Sequence, residues 1–164
     1  MPDFFKFYSL PQSFHPDAAA LRKQFYAMSR KYHPDFVTGG DEEAKNEALA
    51  MSSLNNQAFQ TLKDEGATMG YILRLHGVLV TDEAYKLPPT FLMEMMELNE
   101  ALEEKSEAAE KAMEAAFSEW QQEVEPLLGR FDSGDHSQEL LIQIKDYYFR
   151  KKYLNRLRGH GDMD

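Results

Sequence analysis

No cysteine occurs among the 164 residues. That excludes a disulfide framework, a thiolate nucleophile and a thiolate metal site, and it fits a reducing cytoplasm. No uncharged apolar run approaches the roughly 20 residues that a bilayer span requires, so no membrane partner is expected. Cations are in short supply, with 18 Lys/Arg against 28 Asp/Glu and a net charge of -10. Binding to nucleic acid, which needs clustered cations for phosphate, is therefore not expected. A Gly-rich phosphate loop is missing, and His15, His33, His76, His136 and His160 form no His-x-x-x-His pair. His33 stands two residues from Asp35, but no nucleophile or metal constellation accompanies that pair. No catalytic residue, metal or cofactor is expected. The start, Met1-Pro2-Asp3-Phe4-Phe5, has neither a basic n-region nor an Arg/Ser-rich leader, which suggests a cytoplasmic rather than exported or imported chain.

What is present is the material of a globular protein, 43% hydrophobic and 28% charged. The length suits one domain or two small ones. Charge divides them: residues 1–76 hold eight Lys/Arg and nine Asp/Glu, whereas residues 77–164 hold ten and nineteen. Such asymmetry suggests two parts with different partners.

Helical periodicity runs through most of the chain, and no strand alternation competes with it. A short aromatic segment, Phe4 to Leu10, is stopped by Pro11. Asp17 is placed to cap a helix whose apolar positions are Leu21, Phe25, Met28 and Tyr32. Pro34 disfavours helical backbone at His33, so that helix ends there. After a loop through Gly39-Gly40, Asp41-Glu42-Glu43 suit the positive end of a second long helix. Its seam is Ala48, Met51, Asn55, Ala58, Phe59 and Leu62, which pairs it with the first as an antiparallel hairpin. A shorter helix, about 67–76, should end at Gly77. Residues 77–89 read as a linker closed by Pro88-Pro89. Beyond it, helices are expected over 91–105, over 106–125 with Ala109, Met113, Ala116, Trp120 and Val124 on one side, and from the 132–135 turn to about Arg158. Pro126 and Gly129 should kink or end the middle one. The expectation is an all-α chain.

His-Pro-Asp occurs twice, at 15–17 and 33–35. The first copy precedes a helix, where Pro16 and Asp17 need only a capping role. The second lies between the two long helices and follows a cationic stripe of Lys23, Arg30 and Lys31, aligned with Ala27 at i, i+4, i+7, i+8 and flanked by Arg22. A solvated basic face beside a proline turn is the plain alternative. On the Phe4–Leu10 start, the Leu21-Phe25-Tyr32 seam, the His33-Pro34-Asp35 turn and the Leu54-Asn55, Ala58-Phe59 and Leu62 positions, residues 3–76 resemble the J-domain family. That resemblance implies an N-terminal J domain, an antiparallel helical hairpin with short flanking helices. It also implies that Arg22, Lys23, Arg30, Lys31, His33, Pro34 and Asp35 bind a DnaK/HscA-class ATPase chaperone and stimulate it.

Three further features resemble the HscB family of iron–sulfur-assembly co-chaperones. Phe36 follows the turn where J domains usually have lysine. Tyr71-Ile72-Leu73-Arg74-Leu75-His76-Gly77 closes the first domain without a Gly/Phe-rich linker or zinc module. An acidic helical domain containing Phe91-Leu92-Met93-Glu94-Met95-Met96-Glu97-Leu98 then follows. The resemblance implies a J domain over 1–76, a linker over 77–89 and a C-terminal three-helix client-binding bundle over 90–164. Phe91, Met95, Leu98 and Leu102 share an inward face by spacing. Met93, Glu97, Glu100 and Glu104 share another, flanked by Leu92 and Met96. By resemblance this second face binds an IscU-type scaffold protein, joined by Phe149 of the last helix. Core packing of Leu92 and Met96, and plain solvation of the glutamates, are the competing readings. Met95 and Met96 make the stretch unusually methionine-rich, and Asn99 interrupts its charges. Lys145, Arg150, Lys151, Lys152, Arg156 and Arg158 make the last helix basic, so it can also neutralise acidic neighbours. A J protein with another client, or an adaptor without ATPase-stimulating activity, is the alternative function.

Overall fold

The computed structural model describes residues 2–33 and 42–159. Every regular element among them is helical: α1 (Phe4–Phe7), α2 (Ala18–Lys31), α3 (Glu42–Leu62), α4 (Glu65–Leu75), α5 (Pro89–Glu103), α6 (Glu107–Asp132) and α7 (Gln138–Leu157). The chain is all-α. Short polar side chains start these helices by accepting their unpaired N–H groups. Asp3 does so for Phe5 and Lys6, Asp17 for Ala19 and Ala20, Ser106 for Ala109 and Ser137 for Leu140. Asp64 accepts from Ala67, so α4 begins at Glu65, ahead of the position expected from periodicity. No described helix is long and apolar enough to cross a membrane.

Two compact units divide the chain, Met1–Ile72 and Leu73–Asp164, with the division inside α4. In the first, α2 and α3 pack side by side. Phe25 stacks on Phe59 with ring centroids 4.2 Å apart, while Leu21, Ala58 and Leu62 are buried. Phe4 lies flat on Tyr71 at 4.5 Å and its N–H donates to the Tyr71 hydroxyl. Buried Asn55 ties three helices together. It accepts from the Tyr8 hydroxyl, and its amide donates to the Phe25 carbonyl and to Ser29 Oγ.

The second unit is built on α5, α6 and α7. Phe91, Met95 and Leu98 of α5 turn inward, as do Ala109, Met113, Trp120 and Val124 of α6 and Leu140, Leu141, Ile144 and Leu154 of α7. Trp120 Nε1–H donates to the Tyr147 carbonyl at 2.7 Å, so its one polar atom is satisfied. The expected end of this helix at residue 125 is not observed: α6 runs through Pro126 and Gly129 to Asp132. A proline inside a helix costs about 3 kcal/mol. Burying Leu128 and Phe131 beyond it gains roughly 1.5–3 kcal/mol each, so continuing the helix wins.

Two glycines close helices in left-handed backbone. Gly77 (φ 76°) and Val78 donate back to Arg74 and Leu73, and Gly134 (φ 118°) and Asp135 donate to Phe131 and Arg130. Residues 77–89, read from the sequence as a linker, are held down on α7. Leu79 is buried, Glu83 pairs with Lys145, and the Tyr85 hydroxyl donates to Asp146 at 2.7 Å.

Candidate functional site

The rotation of α2 about its axis decides which of its residues can meet a partner. Leu21 is buried, Phe25 is pinned against Phe59, and Ser29 is bonded to Asn55, which fixes one side of the helix against α3. Arg22, Lys23, Ala27, Arg30 and Lys31 are consequently exposed. Among the described residues no ion pair engages Arg22, Lys23 or Arg30, and Lys31 lies over the Tyr32 ring at 5.3 Å. Arg30 and Lys31 also occupy the last turn, where cations complement the helix dipole. Tyr26 stands 54% exposed on this helix, a residue that the charge pattern gave no reason to single out. His33 is exposed just past the Tyr32 cap. Pro34 and Asp35 lie outside the described residues.

The first His-Pro-Asp is absorbed by structure. Both capping bonds of α2 fall on Asp17 Oδ1, at 2.9 and 3.0 Å, and His15 stands 3.6 Å from Glu65.

On α5 the inward residues are Phe91, Met95 and Leu98, with Leu102 half-buried. The opposite exposure belongs to Met93 (65%) and Met96 (62%), and Leu92 is half-buried between the two faces. Exposed methionines are adaptable apolar contacts, and their cost in water is recovered when a partner covers them. Glu97, Glu100 and Glu104 are exposed, and no ion pair among the described residues holds them. The arrangement is an apolar strip edged by a row of carboxylates.

Phe149 belongs to α7 and is half-buried. Its ring stacks on that of Tyr85 at 4.5 Å with an interplanar angle of 3°, and Tyr148 meets it edge-on at 5.2 Å. The start of α5 lies along the same stretch of α7, since Phe91 sits 5.1 Å from the Arg150 guanidinium and 6.1 Å from the Tyr153 ring. Burial and the bond to Asp146 push the Tyr85 phenol up to about 12. The Lys145 ammonium holds the Glu83 carboxyl below the usual carboxylate range.

The basic residues of α7 are engaged at close range. Lys145 pairs with Glu83 and Arg150 with Asp146, while Lys151 lies 4.1 Å over Trp120 and Arg158 3.9 Å over Phe117. His76 and His136 both pack on Phe131, at 5.7 and 4.0 Å, as aromatic partners. No group of His, Asp and Glu among the described residues is arranged to hold a metal ion.

Residues 87–160 match the family model described as the HSCB C-terminal oligomerisation domain. The iron–sulfur cluster co-chaperone protein HscB of Homo sapiens is 32% identical over 150 residues, which is 90% of this chain and 64% of that protein. The chain belongs to the HscB family. The crystal structure of human co-chaperone protein HscB superposes with a TM-score of 0.79 at 26% identity, covering 97% of this chain and 80% of that one. The chaperone HscB from Vibrio cholerae gives a TM-score of 0.69 at 28% identity, over 96% and 94% of the two chains. The chain therefore spans about two-thirds of the human HscB sequence it matches and nearly all of the bacterial structure. Its HscB-type fold carries both candidate surfaces, a cationic face on α2 and a methionine–glutamate face on α5.

Proposed function

We propose that this HscB-family chain is a co-chaperone that stimulates the ATPase of a DnaK/HscA-class chaperone and delivers an IscU-type iron–sulfur scaffold protein to it. The J domain would span residues 1–76, with 77–89 leading into the client-binding domain at 90–164. Arg22, Lys23, Arg30 and Lys31 meet an acidic surface of the ATPase chaperone, and His33-Pro34-Asp35 delivers the signal. Exposed cations of this kind raise the rate of productive encounter and fix orientation more than they add affinity. An aspartate can offer a bidentate carboxylate to an arginine across such an interface.

The observation that carries the reading is the α2 face. Arg22, Lys23 and Arg30 are exposed with no ion pair among the described residues, on a helix whose other side Asn55 locks, and they lead straight to His33. The client surface is Leu92, Met93 and Met96 with Phe149 as the apolar part and Glu97, Glu100 and Glu104 as the rim. Its support is the exposure of both methionines beside carboxylates that no described cation engages.

Steady-state ATP hydrolysis by a DnaK-class chaperone, with and without this protein and the scaffold, tests the whole reading. Synergistic stimulation by both, lost in His33→Gln, is the expected result. Stimulation indifferent to the scaffold removes the client assignment, and no stimulation of a cognate chaperone leaves an adaptor without J activity.

A further inference from the structure

Residues 83–85 touch α7 through three contacts within residues 145–149. Glu83 pairs with Lys145, the Tyr85 hydroxyl donates to Asp146 Oδ1 at 2.7 Å, and the Tyr85 ring lies flat on Phe149. Asp146 is itself fixed by Arg150 Nε at 2.6 Å, and the same guanidinium covers the Phe91 ring at 5.1 Å. Lys145 Nζ adds a cation contact above Tyr85 at 5.6 Å. Three residues beyond Tyr85, Pro88 stands at the N-terminal boundary of α5 and Pro89 occupies its first turn. The strap thus fixes where α5 begins relative to α7.

We infer that Tyr85 is a positioning residue for client binding: it holds the Phe149 ring in one orientation and sets it against the start of α5, so that Phe149, Leu92, Met93 and Met96 are presented together. This rests on the reading of Phe149 and the α5 face as the client surface. The physical reason is preorganisation. A half-buried aromatic that must be frozen on binding loses rotamer freedom, whereas one already clamped by a parallel ring does not. An apolar anchor held in place is also the kind of residue that dominates an interface. Stacking carries the clamp, and the hydroxyl bond to Asp146 sets the register of the strap along α7. A bulky residue without a flat face would leave Phe149 free to turn.

Calorimetric titration of the IscU-type scaffold into the full-length protein tests this, using Tyr85→Ala, Tyr85→Phe, Phe149→Ala and the Tyr85→Ala/Phe149→Ala double variant. Tyr85→Ala should weaken binding about five- to tenfold, as loss of support for an interface anchor does. Tyr85→Phe keeps the stack and should stay within about twofold of wild type. In the Phe149→Ala background, Tyr85→Ala should cost less than about twofold more, because a residue acting through another has nothing left to position. Additive losses in the double variant, or wild-type affinity in Tyr85→Ala while Phe149→Ala is impaired, would overturn the inference and leave the client face intact. Wild-type affinity in Phe149→Ala would remove the aromatic part of the client face and the inference with it. Circular dichroism of each variant checks that an affinity loss is not a loss of fold.

Discussion

The Tyr8 hydroxyl donates to Asn55 Oδ1 at 2.6 Å and also lies 2.9 Å from the Asn55 backbone carbonyl. Both side chains are almost wholly inaccessible, and burial raises the Tyr8 phenol well above its ordinary value. Because the same asparagine bonds Phe25 and Ser29, this pair links the aromatic segment after α1 to the backbone of α2. Asn55→Ala removes the side-chain acceptor of Tyr8 and the amide bonds to Phe25 and Ser29, leaving the hydroxyl only the backbone carbonyl, and should destabilise the first unit by about 1–3 kcal/mol. Urea denaturation followed by circular dichroism measures it. Because Asn55 sets the facing of α2, the variant should also lower ATPase stimulation at temperatures where it remains folded.

His33→Gln should leave the helical signal and the denaturation midpoint unchanged while abolishing stimulation of the ATPase chaperone. His33 is exposed past the end of α2, so the change to glutamine removes little buried surface. A collapsed circular dichroism spectrum would place the residue among the structural ones.

Much of this was legible in the sequence where local chemistry and periodicity agree. Asp17 announces α2, the seam Leu21–Phe25 turns inward as its spacing requires, and Phe91, Met95 and Leu98 do the same on α5. Pro126 misled because a local rule was read without the burial of Leu128 and Phe131 that outweighs it. Tyr85 carried no signal at all. It lies in a segment without periodicity, and its partner Asp146 is 61 residues away, a pairing that only the folded chain reveals. Leu92 sits at the border of two helical faces, and spacing alone could not assign it.

Combining Leu92→Ala, Met96→Ala and Phe149→Ala should weaken scaffold binding more than about tenfold, since truncating clustered apolar anchors typically costs over 1 kcal/mol each. ATPase stimulation in the absence of scaffold should persist. Calorimetry and the hydrolysis assay together separate the two surfaces, and unchanged affinity would sink the α5 face.

Gly129→Ala should stabilise the second unit by roughly 0.5–1 kcal/mol, the usual gain when an interior helical glycine becomes alanine. Gly129 lies inside α6, is exposed, and an added Cβ there meets nothing within 4 Å. Fluorescence of Trp120, the single tryptophan, follows that unit during denaturation.

Alkaline stability should depend on Tyr85. Its phenol titrates near 12 in the folded chain against 10.0 ordinarily, so folding favours the neutral form. The stabilisation is fully present below pH 10 and is lost as pH rises towards 12. Tyr85→Phe should therefore show a flatter decline in stability across that interval, measured as denaturation midpoints at several pH values and compared with wild type.

The chain writes the same tripeptide on both sides of α2, and the polarity of the helix gives the copies opposite fates. At the amino end, Asp17 spends its carboxylate on Ala19 and Ala20, within its own molecule. At the carboxyl end the helix presents carbonyl oxygens and partial negative charge, which offer a carboxylate nothing to accept from. Asp35 follows that end in the sequence, where α2 has no unpaired backbone N–H left for a carboxylate to cap. Direction along the chain, and not the three letters, decides which copy can cap α2.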